Sequence, residues 1–413
     1  MKPETNPEVL KVFKALLGLE EPWRIKSVSI EEQPKRVDIE IEWPSGHTLV
    51  CPECGKACAT YDHAGTRWWR HLDTMGHLTR LCCRTPRCEC PEHGVRTVRI
   101  PWAGEGSRFT EQFECRAIDL ELAASSQKQA GQFLRISWWQ AHCIQVAAVK
   151  RGLARREIET IKRVGIDEKS FGKGQHYGTL VSDLDGHCVL EVVEHRDEQS
   201  AARAFESLGK EQLKKIEAVA MDMWAPYMKA AALKAPNAAI VHDRYHVSAH
   251  LNEAVDSVRK EEHAQLSEQA NEWLKGKKYL FLKSPESWRR EERDSFRELR
   301  KKDLKVTKAW GMRENFRHFW EFEERQGAQA FFEQWEKQAQ GSGLGPMKKK
   351  AAMMREHLPG LLNYARHRIT NAVSEGFNAK IQVIKSAARG FRCFGNYRTA
   401  ILFHCGKLSL HPL

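Results

Sequence analysis

Two short apolar runs in the sequence each end in an aspartate, "RVGID" at Asp167 and "EAVAMD" at Asp222. This pairing constrains the fold more than any other feature. A strand buried enough to be written in Val, Ile, Ala and Met has no cheap place for a carboxylate. Side chains alternate between the two faces of a strand. Val164 and Ile166 therefore share one face and Gly165 and Asp167 the other, and Ala218 and Ala220 share a face with Asp222. Each acid lies beside small residues, which leaves space next to the carboxylate.

The surrounding pattern places both acids in one sheet. "YGTLVSD", the turn "DLDG" and "CVLEVVEH" read as a hairpin after the first acid strand. The helical "SAARAFESLGKEQLKKI" crosses to the strand that ends at Asp222, and "NAAIVHDRYHV" supplies a further strand. Three antiparallel strands, a crossover helix and then parallel strands describe an α/β, RNase H-like core with the two acids as neighbours at its centre. Two adjacent carboxylates repel, and each resists ionising alone. Mg2+ or Mn2+ resolves the conflict, since such ions take hard oxygen ligands and phosphate oxygens. A pair of ions roughly 3.5–4 Å apart activates the attacking oxygen and stabilises the leaving one.

Such a site calls for a third acid. In "ITNAVSEGFNAKIQVIKSAARGF", helical periodicity puts Asn371, Glu375, Asn378 and Gln382 on one stripe. Val373, Phe377, Ile381, Ile384 and Ala388 fall opposite. One face is expected to pack while the other presents Glu375 between amides. The expected catalytic metal ligands are thus Asp167, Asp222 and Glu375.

Seven of the twelve cysteines lie between Cys51 and Cys90. In a cytoplasmic chain such a cluster signals metal rather than disulfides. "CPECG" places Cys51 and Cys54 at the C-x2-C spacing of a zinc knuckle, with Gly55 for the turn, and "CPEH" places Cys90 and His93 at the same spacing. These four are the expected ligands of one structural Zn2+. Cys83 and Cys88 are alternatives in the second pair, with Cys58, Cys82, His71 and His77 as spares.

In "LAASSQKQAGQFLRISWWQAHCIQVAAVKRGL", Ala124, Ala130 and Leu134 suit a first helix. Arg135, Ile136 and Ser137 suit a turn, with Ser137 capping a second helix. This is the size of a helix-turn-helix whose second helix enters the major groove. Trp138, Trp139, Gln140 and His142 are then expected near base edges, and Lys150 and Arg151 near phosphates. Lys and Arg outnumber Asp and Glu by 66 to 54 over 413 residues, a balance that favours a polyanionic partner. No apolar run approaches the roughly 18 residues of a membrane span, and the N-terminus lacks the layout of a signal peptide. The expected location is the cytoplasm, at the nucleoid when DNA is bound.

The motifs "GIDEKSFGKGQHYGTLVSD", "AVAMDMWAPYMKA", "IVHDRYHV" and "NAVSEGFNAKIQVIKSAARGFR", in that order, resemble the DDE transposases of the bacterial ISL3 insertion-sequence family. "CPECG", "CPEHGVRTVRIPWA" and the helix-turn-helix resemble its N-terminal half, so the likeness covers nearly the whole chain. It implies Asp167, Asp222 and Glu375 as the metal-binding triad, and a mainly helical insertion between the second and third acids. Asp243 and His246 match a D-x-x-H element, which makes His246 a candidate for positioning the scissile phosphate or a flipped base. The implied partners are double-stranded DNA, both terminal inverted repeats and target, and a second copy of the chain in a homodimer or larger oligomer. The extra cysteines at 82 and 88 depart from the family's second knuckle.

On this reading residues 1–112 hold a short helix, strands and the zinc module, and 113–160 the helix-turn-helix. The core's first part spans 161–250, the insertion 251–360, and the completion with the Glu375 helix 361–413. "GSGLGP" at 341–346 reads as a linker, and the aromatic- and cation-rich "WLKGKKYLFLKSPESWRREERDSFRELRKKDLKVTKAW" suits DNA or a helical bundle core. Two other readings are a structure-specific nuclease on the same sheet and a catalytically silent DNA-binding regulator.

Overall fold

The alternation of "KRVDIEIE" builds the first sheet. In the computed structural model, which describes residues 4–157, 160–172, 176–266, 272–369 and 372–412, the chain forms two compact units, Met1–Arg156 with Leu408–Leu413, and Glu157–Lys407. The first unit opens with helix α1 (Pro7–Leu17). Strands β1 (Arg24–Glu32), β2 (Lys35–Glu42), β3 (Leu49–Val50), β4 (Ala57–Arg70), β5 (Leu78–Cys90) and β6 (Gly94–Thr97) follow. They lie in the order β1-β2-β5-β4-β3, with β6 on β5. Val37, Ile39 and Ile41 of β2 enter a core with Val28 and Leu81. There Trp23 and Trp69 meet Trp102 edge-to-face at 5.0 and 5.5 Å. The stripe of α1 is narrower than its apolar positions imply: Leu10, Phe13 and Leu17 touch this core, and Val12 and Leu16 remain exposed.

Helices α2 (Glu111–Ala123), α3 (Gln127–Leu134) and α4 (Trp138–Arg155) complete the unit. Ala124 ends α2 rather than entering the next helix, and Ser126 caps α3. Between α3 and α4 the chain turns through Arg135 in the left-handed region (φ 55). Gly131 permits the turn, since a Cβ there would lie 3.2 Å from the Ile136 carbonyl oxygen. The C-terminal residues return to α4. Arg151 donates to the Leu410 carbonyl at 3.0 and 2.9 Å, and Leu408 lies over Gly152, where a Cβ would meet it at 2.7 Å. Residues from Leu408 onward thus pack in this unit, whereas the sequence reading grouped 361–413 together.

The three helices enclose one acid. Glu121 of α2 is buried, its Oε2 accepting from Gln127 of α3, whose amide also donates to Gln145 of α4. Burial pushes this carboxyl up to about 8 from an ordinary 4.5. Between those values the folded chain keeps a proton that the unfolded chain releases, so stability falls as pH rises through the window. Glu121→Gln is expected to remove that slope. Urea unfolding of the two proteins should coincide at about pH 4 and below and differ by up to about 3 kcal/mol at pH 7 in favour of Gln. Parallel curves would remove Glu121 as the cause.

The second unit begins with β7 (Arg163–Ser170), β8 (Tyr177–Asp183) and β9 (Cys188–Glu194), a continuous antiparallel set. Helices α5 (Glu198–Glu206) and α6 (Lys210–Leu213) lead to β10 (Ala218–Met221), and α7 (Ala225–Lys234) leads to β11 (Ala239–His242). The order is β11-β10-β7-β8-β9, with β10 parallel to both neighbours. Val164, Ile166, Val219 and Met221 pack under α5 and α7 against Phe205 and Tyr227. Ala218, Ala220 and Val241 face the opposite core.

That core belongs to a run of helices: α8 (Arg244–Gln265), α9 (Lys278–Leu282), α10 (Arg290–Arg300), α11 (Lys305–Phe316), α12 (Arg325–Gly341), α13 (Gly345–Glu356) and α14 (Leu358–His367). Its aromatic residues are mostly structural. Phe281, Trp288, Phe296, Phe332 and Trp335 are buried, and Trp335 donates to the Met312 carbonyl at 2.9 Å. Among the described residues Tyr245, Trp273 and Tyr279 are the exposed ones. "GSGLGP" is the tight connection between α12 and α13, with Gly343 at φ 74, inside one packed bundle rather than between domains. Helices α15 (Ala372–Ala387) and α16 (Phe394–Cys405) return to the sheet.

Candidate active site and metal centre

Strand register aligns the acids. Ala218, Val219 and Ala220 of β10 pair with Arg163, Val164 and Gly165 of β7, and with Ala239, Ile240 and Val241 of β11. Continued past the strand end, the same register sets Asp222 beside Asp167 on one side and Asp243 on the other. Backbone amides hold two of them: Glu168 N–H donates to Asp167 at 2.8 Å, and Met223 N–H to Asp222 at 2.6 Å. His246, in the first turn of α8, lies between two carboxylates, with Nδ1 3.6 Å from Asp222 Oδ2 and Nε2 3.9 Å from Asp243 Oδ2.

Helix α15 docks along β7 by a polar face. The Asn378 amide donates to Asp167 Oδ2 at 2.7 Å, and Lys385 Nζ to the Ser170 carbonyl at 2.8 Å. Ser374 lies over Gly165, where a Cβ would sit 3.0 Å from its hydroxyl. Small residues beside the first acid thus make room for a helix. Ile381 is buried on this face, while Phe377 and Ile384 are only half-covered and Ala388 is exposed, so the docked face is not the predicted aliphatic stripe. Asn371 lies outside the described residues. Glu375 stands exposed in the first turn, three residues before Asn378. Among the described residues the three triad carboxylates do not draw within 4.8 Å of one another.

Burial raises the Asp167 carboxyl above its ordinary range, with the Asn378 and Glu168 hydrogen bonds opposing. Burial raises Glu168 too, helped by the charges of Asp167 and Asp222. The donors are carboxylate and amide oxygens without thiols, a set that fits a hard divalent cation.

The zinc ligands expected from sequence do converge. Cys51, Cys54, Cys90 and His93 bring their ligand atoms within 4.8 Å of one another. The β3–β4 connection forms one knuckle, with Gly55 at φ 73, and the β5–β6 turn the other, with Gly94 at φ 65. Pairing of Ala59 with Glu89 brings the two together. Backbone amides lower the Cys90 thiol to about 6, whereas burial raises Cys58 and Cys82 to about 11 and Cys83 to about 12. The former favours a thiolate ligand and the latter inert core thiols. His71 instead bonds Thr110 at 2.9 Å.

Comparison with known families now bears on both sites. The zinc-finger family of the IS204/IS1001/IS1096/IS1165 transposases matches residues 47–93, spanning all four ligands, and supports a structural zinc. The ISL3 transposase family matches residues 164–401, from β7 into α16. The chain belongs to the ISL3 family of DDE transposases. It is 26% identical over 380 residues to the transposase for insertion sequence element IS1001 of Bordetella parapertussis, covering 91% of this chain and 93% of the relative. It is also 26% identical over 413 residues to the transposase for element IS1557 of Mycobacterium tuberculosis, covering 93% and 92%.

In this ISL3 chain the six residues expected on DNA divide. Trp138 and Trp139 are exposed at the start of α4, and Lys150 is exposed further along. Gln140 instead closes the capping box, accepting from Ser137 N–H at 2.9 Å. His142 is buried, stacked on Trp138 at 5.5 Å, and Arg151 is committed to Leu410. The S-x-x-Q spacing was the available signal for Gln140. The sequence reading also missed Arg196, which lies over Tyr177 at 4.2 Å and Trp224 at 5.4 Å, and 3.7 Å from Glu168. No local pattern announces that arrangement. Among the described residues no helix is long and apolar enough to cross a membrane.

Proposed function

We propose that this transposase binds the terminal inverted repeats of its insertion sequence and carries out divalent-metal-dependent strand cleavage and strand transfer on an RNase H-like core. The observation that supports this most is the strand register that aligns Asp167 with Asp222, joined by the helix of Glu375 through the 2.7 Å Asn378–Asp167 bond. Asp167, Asp222 and Glu375 would hold Mg2+ or Mn2+, with the Glu375 side chain turning inward from its exposed position. When bound, such a cation supplies charge neutralisation and Lewis acidity for phosphoryl transfer. Asn378 fixes the Asp167 rotamer, and His246 orients Asp222. The attacking oxygen comes from water for cleavage and from the freed 3′-hydroxyl for joining. Helices α3 and α4 act as the helix-turn-helix, with Trp138 and Trp139 at the groove, and a second protomer brings the other end. Residues 1–112 serve as the zinc module, 113–160 as the end reader, 251–360 as the insertion within the core of 161–250 and 361–407, with the residues from Leu408 onward packed in the first unit.

The test is a cleavage and joining assay on duplexes carrying the flanking inverted repeats, with Mg2+. Cleavage at the repeat boundary followed by joining is expected. Cutting of branched DNA without joining would turn the reading to a nuclease. Gly165→Val adds a probe of the helix seat: it should cost about 1–3 kcal/mol in urea unfolding and slow cleavage on the order of 100-fold by shifting α15 off Asp167. Unchanged cleavage would show that the seat is dispensable.

A further inference from the structure

Beside the turn that leads into α4, the first unit holds a cleft of about 500 Å3, lined by Pro34, Lys35, Arg36, Gly76, Leu78, Arg80 and Arg135. Four of these residues are cationic, and none is acidic. They come from the β1–β2 hairpin, the start of β5 and the α3–α4 turn.

The cations are oriented from behind. Asp38 accepts from Arg80 Nε and Nη2, each at 2.8 Å, and from Arg36 Nε at 3.0 Å, while Glu31 pairs with Arg36 Nη2 at 2.7 Å. Those contacts use the Nε and Nη2 donors of both guanidiniums and leave each Nη1 without a hydrogen-bond acceptor among the described residues, while the face of Arg80 lies over Trp68 at 4.3 Å. A guanidinium carries five N–H donors, so a backing carboxylate aims the fork without exhausting it. Arg135 Nη1 donates to the Gly76 carbonyl at 3.0 Å and lies 3.4 Å from Asp73. Lys35 is exposed, with no ion pair among the described residues. Counting Arg70, which shares Asp73, five cations stand against Glu31, Glu32, Asp38 and Asp73. The site keeps a positive excess.

We infer that this cleft seats a backbone phosphate of the bound DNA and so sets the register of α4 in the groove. The inference rests on the proposed end-binding role of this unit and adds a place and a ligand chemistry to it. Arg135 is both a wall of the cleft and the left-handed turn residue two positions before Ser137, the cap of α4. A phosphate held here is therefore fixed relative to the first turn of α4, where Trp138 and Trp139 are exposed. Phosphate contacts of this type position a protein and carry no sequence information.

The experiment measures binding of the full zinc-loaded chain to a terminal-repeat duplex and to an unrelated duplex across a salt series. Lys35→Ala and Arg135→Ala are compared with wild type. Lys35 is exposed at a hairpin tip, so its replacement leaves the fold intact. Each variant should make the slope of log K against log salt shallower by about 1 on both duplexes, with the repeat-to-unrelated ratio unchanged. A neutral methylphosphonate scan should find a position that weakens wild type and has no further effect in the variants. Unchanged slopes in both variants, or a methylphosphonate effect that persists in them, overturns the cleft. A wild type that binds DNA without preferring the repeats overturns the end-recognition reading instead, and the slope on unrelated DNA still decides the cleft.

Discussion

Asp222→Asn protein is expected to bind terminal-repeat duplex as tightly as wild type and to cleave it at least about a thousandfold more slowly. Asparagine keeps the size of the side chain and an oxygen to accept the Met223 N–H that Asp222 now accepts at 2.6 Å. The backbone at the end of β10 should not move. What is lost is one charge at the centre of the row formed with Asp167 and Asp243. Removing a carboxylate from a phosphoryl-transfer site forfeits several kcal/mol of transition-state stabilisation, and each 1.36 kcal/mol is about tenfold in rate. The proposed end binding belongs to the other unit and should be spared. Cleavage within tenfold of wild type would remove Asp222 from the chemistry. Glu375→Gln should match the loss, since the reading makes it the third acid. Normal cleavage by Glu375→Gln with inactive Asp243→Asn would move that role to Asp243, the third member of the row.

The sequence made the acid row legible because period-two alternation assigns each residue to a face, and small neighbours mark where something else must fit. It did not reveal what fits there. Reading helix 372–387 by its aliphatic stripe assumes that apolar faces pack, yet the strand it meets presents Gly165, already flanked by Leu184 and Ser182, and the Asp167 carboxylate. Ser374 and Asn378 take that contact instead. Spacing alone picked out the four residues whose ligand atoms converge, because two short knuckles define their own geometry. In α4 the cap at Ser137 was readable, but the commitment of Arg151 to Leu410, 259 residues away, has no local trace. The tryptophans of the insertion follow the same logic: an aromatic residue among cations looks the same in sequence whether it stacks on a base or fills a bundle, and Trp288 and Trp335 fill the bundle.

Cys54→Ser and Cys90→Ser should each abolish stoichiometric zinc, while Cys83→Ser should retain one zinc per chain. The contrast follows from geometry. Cys54 and Cys90 sulfurs lie 3.7 Å apart, and Cys90 lies 3.6 Å from His93 Nδ1, whereas Cys83 is buried with its thiol raised to about 12. The knuckles are also part of the fold: Cys51 and Cys90 pack in the same core as Trp23, Trp69 and Trp102. In small zinc modules metal binding supplies folding free energy on the order of 10 kcal/mol. Chelation of wild-type protein should therefore shift tryptophan emission to the red as that cluster becomes wet, and Zn2+ should reverse the shift. The two ligand variants should resemble the chelated protein without chelator. Zinc retained at one per chain in both, or lost from Cys83→Ser, would assign the metal to a different ligand set.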